Sequence, residues 1–349
     1  LYEVITMKIM LILASSGPTI GGMELQAAQQ AEELSKIPHT EVSIVAADCF
    51  EKIISPNVFH YSLNMHRSRR NLFLLAAFLK NIKNFSPDII HAHGHKAASL
   101  LSTLKPCINQ QAMLVATAHN VKRNNKVLIK MDEVFVVSKG IAKAISPIHS
   151  HVVLNGIKTH QPGKLTKASF CESLDLDPSL PLILGVGRLV PTKRFEYLLS
   201  AAEGLAANIV ICGDGPEFNK LKQLAPTNCL LAGHRTDIRD LLFVADFMVI
   251  SADRDGFSLA LIEALQSGLP VLSTAVPGAE DLLPETCLIR NTEKTAFHDL
   301  LKEHIQNLDQ LRPTQHAMFE FVRNELHISQ VAERTHSLYE MLLAKLNKA

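Results

Sequence analysis

The stretch LILGVGRLVPTKRFEYLLSAAEGL (182–205) decides the fold. Leu182–Val186 is an apolar run of strand length. Gly185 and Gly187 mark the end of that run, and Arg188 and Lys193 place two cations five residues apart. A helical pattern, Arg194–Leu205, follows at once. Strand, glycine turn and helix make one βα step. The step recurs downstream, with strands at Asn208–Cys212, Cys229–Ala232, Phe247–Ser251, Pro270–Ser273 and Cys287–Ile289. Helices at Glu217–Leu224, Ile238–Val244 and Ser258–Ser267 lie between them. Upstream, strands are expected at Lys8–Ala14, Glu41–Ala47, Asp88–Ala92, Met113–Ala116, Glu133–Val137 and His151–Leu154. Helices at Met23–Ser35, Asn71–Phe85, His95–Leu104 and Lys139–Ser146 alternate with them. The polar segment KTHQPGKLTK (158–167) interrupts the alternation and reads as a linker. From Thr292 onward only helical pattern remains. This predicts an α/β protein of two doubly wound, Rossmann-like domains, each with a parallel sheet covered on both faces.

Composition agrees. At roughly 150 residues per domain, 349 residues give a prior of two. With 47% hydrophobic and 20% charged residues, the disordered, collagenous and low-complexity classes are excluded. No apolar run approaches the ~18 residues of a membrane helix. The six cysteines are scattered without a CxxC pair, which argues against a disulfide framework or zinc ribbon and suits a reducing cytoplasm. Met7–Ser16 imitates a secretion signal, but its unbroken apolar core is shorter than the ~7–15 residues such a signal needs. It reads as the first strand, with residues 1–6 outside the fold. The net charge of +1 hides a division. Residues 1–160 carry 17 Lys and Arg against 10 Asp and Glu, whereas residues 161–349 carry 18 against 24. A basic first half suits an anionic ligand or a membrane surface and is too diffuse to indicate nucleic acid.

Three segments can carry chemistry. Gly17-Pro18-Thr19-Ile20-Gly21-Gly22 joins a strand to a helix, where glycines allow close approach and a helix N-terminus favours an anion. It is not GxGxxG, so a dinucleotide fingerprint fails. Gly187, Arg188 and Lys193 make a diphosphate cradle without metal, Arg188 as a fork and Lys193 as a point charge. A solvated turn with surface charges would have the same sequence. In DRDGFSLALIE (253–263), Asp255 sits in a turn and Glu263 two helical turns on, and the Gly256–Leu259 amides can bind phosphate or hydroxyl oxygens. Asp253-x-Asp255 also fits a hard-cation pair. His91, His93 and His95 form a period-two cluster that can be metal-binding or structural. The basic run His66–Arg70 ahead of an amphipathic helix suits either anionic lipid or an ordinary covering helix.

GRLVPTK, VICGDGPE (210–217), LAGHRTDI (231–238), the 255–263 element and SGLPVLSTAVPGAEDLL (267–283) occur in that order. GGMELQ (21–26), PDIIHAHG (87–94), VATAHN (115–120), VFVVSKGIAKAI (134–145) and VVLNGI (152–157) precede them. Over nearly the whole chain this resembles the retaining nucleotide-sugar glycosyltransferases of family 4, of GT-B fold. The resemblance implies two Rossmann-like domains facing each other across a cleft. The first would be an acceptor-side domain, 7–160, joined by a C-terminal helix 328–349 whose stripe of Leu338, Met341, Leu342 and Leu346 packs on it. The second, 161–327, would bind the donor.

The resemblance also implies roles. Arg188 and Lys193 neutralise the donor diphosphate. Glu263, the second acid of an E-x7-E motif, holds the ribose hydroxyls. Asp255 stands at the first acid position, where Glu is usual, near the donor sugar. Gly22 and His119 approach the donor from the first domain. Gly187, Gly256, Phe257, Ser258 and Leu259 complete the donor site, and the backbone at His234 and Arg235 pairs with the base. No cofactor and no metal are implied. The expected reaction moves a sugar, with retention, from a nucleoside diphosphate sugar, UDP being commonest, to a glycan or lipid-linked acceptor in lipopolysaccharide or other cell-surface polysaccharide synthesis. The expected place is the cytoplasm, with peripheral contact at the inner membrane. Alternatives are a nucleotide-sugar epimerase on the same fold and a non-catalytic binding subunit.

Overall fold

A computed structural model describes residues 6–15 and 20–346. The chain divides into two compact units, one of residues up to Ile157 plus those from Leu326 onward, the other Lys158–Glu325.

In the first unit the strands are β1 (Met7–Leu13), β2 (Thr40–Ala46), β3 (Phe59–Ser62), β4 (Ile89–His93), β5 (Met113–Ala118), β6 (Glu133–Val136) and β7 (His151–Val152). They form one sheet in the order β3-β2-β1-β4-β5-β6-β7, and its pairs are all parallel. The helices α1 (Gly22–Leu34), α2 (Leu72–Phe85), α3 (Gly94–Leu104) and α4 (Lys139–Ile145) supply the crossovers. The apolar runs Ile9–Leu13, Ile89–Ile90 and Met113–Ala116 are buried, as a sheet covered on both faces requires. The strand at Phe59–Ser62 was not expected from sequence. It is a four-residue edge strand with no buried residue, so it lacks the apolar signal.

The second unit contains β8 (Leu182–Val186), β9 (Asn208–Cys212), β10 (Cys229–Gly233), β11 (Phe247–Ile250), β12 (Val271–Thr274) and β13 (Leu288–Ile289), in the order β10-β9-β8-β11-β12-β13. Its helices are α5 (Lys167–Glu172), α6 (Phe195–Ala202), α7 (Phe218–Leu224), α8 (Ile238–Val244), α9 (Leu259–Ser267), α10 (Pro277–Leu282), α11 (Lys294–Gln306) and α12 (Leu308–Glu325). The short α5 and α10 also escape sequence reading, each being six residues long and so without a full period to recognise.

The last helix, α13 (Ile328–Leu346), belongs to the first unit. Where the chain leaves that unit and where it returns, it pairs with itself: Ile157 N–H donates to Leu326 and Ile328 N–H donates to Ile157, both at 2.9 Å. The buried face of α13 differs from the expected stripe. It runs Ile328, Val331, Ala332, Thr335, His336, Tyr339, Leu342, while Met341 and Leu346 are exposed. The reason is that half of this face is polar and bonded. Gln30 of α1 donates to Thr335 at 3.0 Å, Thr40 and His336 lie 2.9 Å apart, and Tyr339 bonds His91. An apolar pattern alone therefore selects the wrong phase.

Candidate functional site

In doubly wound sheets ligands gather at the carboxyl ends of the strands. In the second unit the loop leaving β8 carries Gly187, Arg188 and Lys193. It is held by its neighbour after β9: Leu189 N–H donates to Asp214 at 2.9 Å, and Glu217 N–H donates to Leu189 at 3.0 Å. This contact explains GDG (213–215). A Cβ at Gly213 would stand 1.9 Å from the Gly187 carbonyl oxygen, and one at Gly215 would stand 2.4 Å from that of Leu189. Arg188 is exposed, with no carboxylate partner among the described residues.

Lys193 and Asp255, far apart in sequence, meet. Lys193 Nζ donates to Asp255 Oδ2 at 2.6 Å, with both side chains largely covered. The loop after β11 is pinned alongside, since Asp253 N–H donates to Thr192 at 3.1 Å and Ser251 Oγ donates to the Lys193 carbonyl at 2.9 Å. Asp253 is ion-paired to Arg194, which also reaches Glu196 at 3.1 Å. Each carboxylate of the Asp253-x-Asp255 pair thus has its own cation. Arg194 was not singled out from sequence. It acts through a carboxylate rather than a motif, and its only signal is its place next to Lys193.

Gly256 and Phe257 are buried, and Ser258 caps α9 without a side-chain bond, so the first-turn amides from Leu259 onward keep the orphan donors of a helix N-terminus. On α9, Glu263 faces Arg239 at 3.7 Å in a small space also lined by Lys158, His160 and Phe243. Burial raises its pKa against the opposing pull of Arg239 and His160. Arg239 is a second residue that spacing could not reveal. The Arg235 side chain is committed to Asp237, at 2.8 and 2.6 Å, and stacks on Phe170. Only its backbone and the exposed His234 are left to a ligand.

In the first unit, Gly17, Pro18 and Thr19 of the glycine loop lie outside the described residues. Gly22 opens α1, and the expected anion position there holds a carboxylate of the chain itself: Glu24 accepts from Gly21 N–H at 3.0 Å and from Ser15. His119 follows β5. Its Nε2 lies 3.2 Å from Nδ1 of His93, whose ring stacks on His91 with centroids 4.5 Å apart. His91 in turn bonds Thr117 at 2.6 Å and Tyr339. This column lines a cavity of about 10 Å³ with Gln26, Gln30 and Asn155. Desolvation keeps all three rings neutral: His91 is pushed down to about 3, His119 to about 4, and His93 well below its ordinary value. His95 departs from the cluster and bonds Asn125 at 2.8 Å. The period-two histidines are thus a structural column that supports His119.

Residues 20–161 match the family Glyco_transf_4, described as Glycosyltransferase Family 4, and residues 168–320 match Glycos_transf_1, Glycosyl transferases group 1. The chain is 20% identical to N-acetyl-alpha-D-glucosaminyl L-malate synthase of Bacillus anthracis, over 90% of this chain and 93% of that protein. It is 27% identical to the UDP-Gal:alpha-D-GlcNAc-diphosphoundecaprenol alpha-1,3-galactosyltransferase of Escherichia coli, over 62% of this chain and 64% of that one. The crystal structure of Anabaena HepE in complex with UDP and glucose superposes with a TM-score of 0.80 at 16% identity, covering 96% of this chain and all of that one. Two doubly wound units with parallel sheets define the GT-B class. The chain belongs to the family 4 glycosyltransferases and is a glycosyltransferase.

Proposed function

We propose that this enzyme transfers a sugar from a nucleoside diphosphate sugar, UDP-linked, to a glycan or lipid-linked acceptor of the cell surface, of the lipopolysaccharide kind, with retention at the anomeric carbon and without a metal. The observation that carries the reading is the meeting of Lys193 and Asp255 beside the exposed Arg188. The UDP held by HepE and the UDP-galactose and diphosphoundecaprenol in the name of the E. coli relative support the choice of donor and acceptor class.

In this reading Arg188, Lys193 and the amides at the start of α9 stabilise the charge that grows on the leaving diphosphate, with Gly187 and Gly256 giving it room. Asp255 orients Lys193 and faces the donor sugar. Glu263, already desolvated, accepts the ribose hydroxyls, and the backbone at His234 and Arg235 meets the base. Gly22 and His119 keep the roles expected of them toward the donor, His119 as a neutral imidazole able to hydrogen-bond a sugar hydroxyl. The leaving phosphate takes the acceptor proton, so the sugar–oxygen bond breaks and the new one forms on the same face.

Among the described residues no helix is long and apolar enough to cross a membrane. Contact with the inner face of the cytoplasmic membrane is proposed at the start of α2, where Leu72 and Phe73 are each 77% exposed behind exposed Arg67, Arg69 and Arg70. Apolar side chains beside basic ones suit anionic lipid. The test is a panel of nucleotide sugars offered with a lipid-diphosphate-linked sugar acceptor. A product with the donor's anomeric configuration is expected from a UDP-sugar. An inverted product, or an epimerised donor without transfer, would overturn the reading.

A further inference from the structure

We propose that Glu133, His149 and His151 form a binding site for a divalent transition metal, zinc by its ligand chemistry, on the first unit. The sheet register builds the cluster. In β6 and β7, Phe135 lies opposite His151 and Val136 opposite Val152. Side chains two apart share a face of a sheet, so Glu133 and Phe135 fall on one face together with His151, and His149 lies in the loop two residues before it. The coordinates agree: His151 Nε2 lies 3.0 Å from Glu133 Oε2, the His149 and His151 rings are 5.2 Å apart, and one donor atom from each of the three residues lies within 4.8 Å of the other two.

Two imidazoles and one carboxylate suit zinc and its neighbours rather than calcium or magnesium, which prefer all-oxygen shells. Ligand bonds of about 2.0–2.2 Å in a tetrahedron bring donor atoms to roughly 3.4 Å from one another. The Glu133–His151 pair is already near that separation. His149 is exposed on a loop, and a turn of its ring would close the remaining distance. Three protein ligands leave one position for water.

The site lies at the amino ends of β6 and β7, whereas His93 ends β4 and His119 follows β5 at their carboxyl ends. Its ion therefore lies at the opposite end of the sheet from His119. It ties β7, a two-residue edge strand, to β6. A plain Glu133–His151 ion pair is the competing account, and it assigns no task to His149.

The experiment is a calorimetric titration of the intact, chelator-treated chain with zinc chloride, alongside His149→Ala and His151→Ala. One site is expected, with affinity falling at least about tenfold in each variant, and a zinc-dependent rise in Tm that both variants lose. His149→Ala replaces an exposed side chain, so its folding is not at risk. Unchanged zinc affinity in His149→Ala, or no binding by the parent chain, would overturn the proposal. Circular dichroism of each variant separates loss of ligand from loss of fold.

Discussion

Lys193 is the side chain on which most of the proposed chemistry converges. At 2.6 Å from Asp255 it is neither free nor buried beyond use, and an incoming diphosphate would share it with that carboxylate. One charge-assisted contact to a developing oxyanion is worth ~2.7–4 kcal/mol, so Lys193→Ala is expected to lower turnover by about 10² or more. Steady-state kinetics on the purified variant measure this, and full activity would remove Lys193 from the mechanism. The residues proposed to contact the donor, Arg188, Lys193, Asp255 and Glu263, were picked out because they stand in motifs with fixed spacing. Residues that act through a partner were not. Arg194 holds Asp253 and Arg239 faces Glu263 only once the chain has folded. The linear order of residues carries no trace of either pairing.

Among the elements, α13 shows what an apolar pattern reads and what it misses. That the helix has one buried face was legible; its phase was not, because Thr335, His336 and Tyr339 are buried by virtue of Gln30, Thr40 and His91. The column that Tyr339 joins has a measurable consequence. In the folded chain His91 titrates at about 3 and His119 at about 4, whereas in the unfolded chain both approach their ordinary 6.5. As pH falls through 6.5 the unfolded state takes up protons that the folded state refuses. This contribution to stability is therefore complete above pH 6.5 and is lost progressively as pH drops from there towards 4. Each such histidine costs about 1.4 kcal/mol per pH unit within that window. Thermal denaturation from neutral pH to about 5 is expected to show a falling Tm, with a shallower slope in His91→Gln. Equal slopes in the two proteins would remove the buried column as the cause.

At the scale of the molecule, strand–helix alternation fixed two parallel sheets in advance because buried parallel strands must be apolar along their whole length. The exposed edge strand at Phe59–Ser62 was the exception that the same rule predicts it will miss. The chain's charge is divided, basic before the linker and acidic after it, yet the cations proposed to meet the donor diphosphate, Arg188 and Lys193, lie in the acidic half. Local placement at strand ends, rather than the overall field, would then do the binding. These cations and the start of α9 are proposed to hold the diphosphate in place of a metal. Titrating UDP into the chain in the presence of EDTA tests this most directly. One equivalent of UDP is expected to bind with unchanged affinity in EDTA, and to bind markedly more weakly to Arg188→Ala. Binding that disappears in EDTA and returns with magnesium or manganese would contradict the account and give the site to a metal held by Asp253 and Asp255.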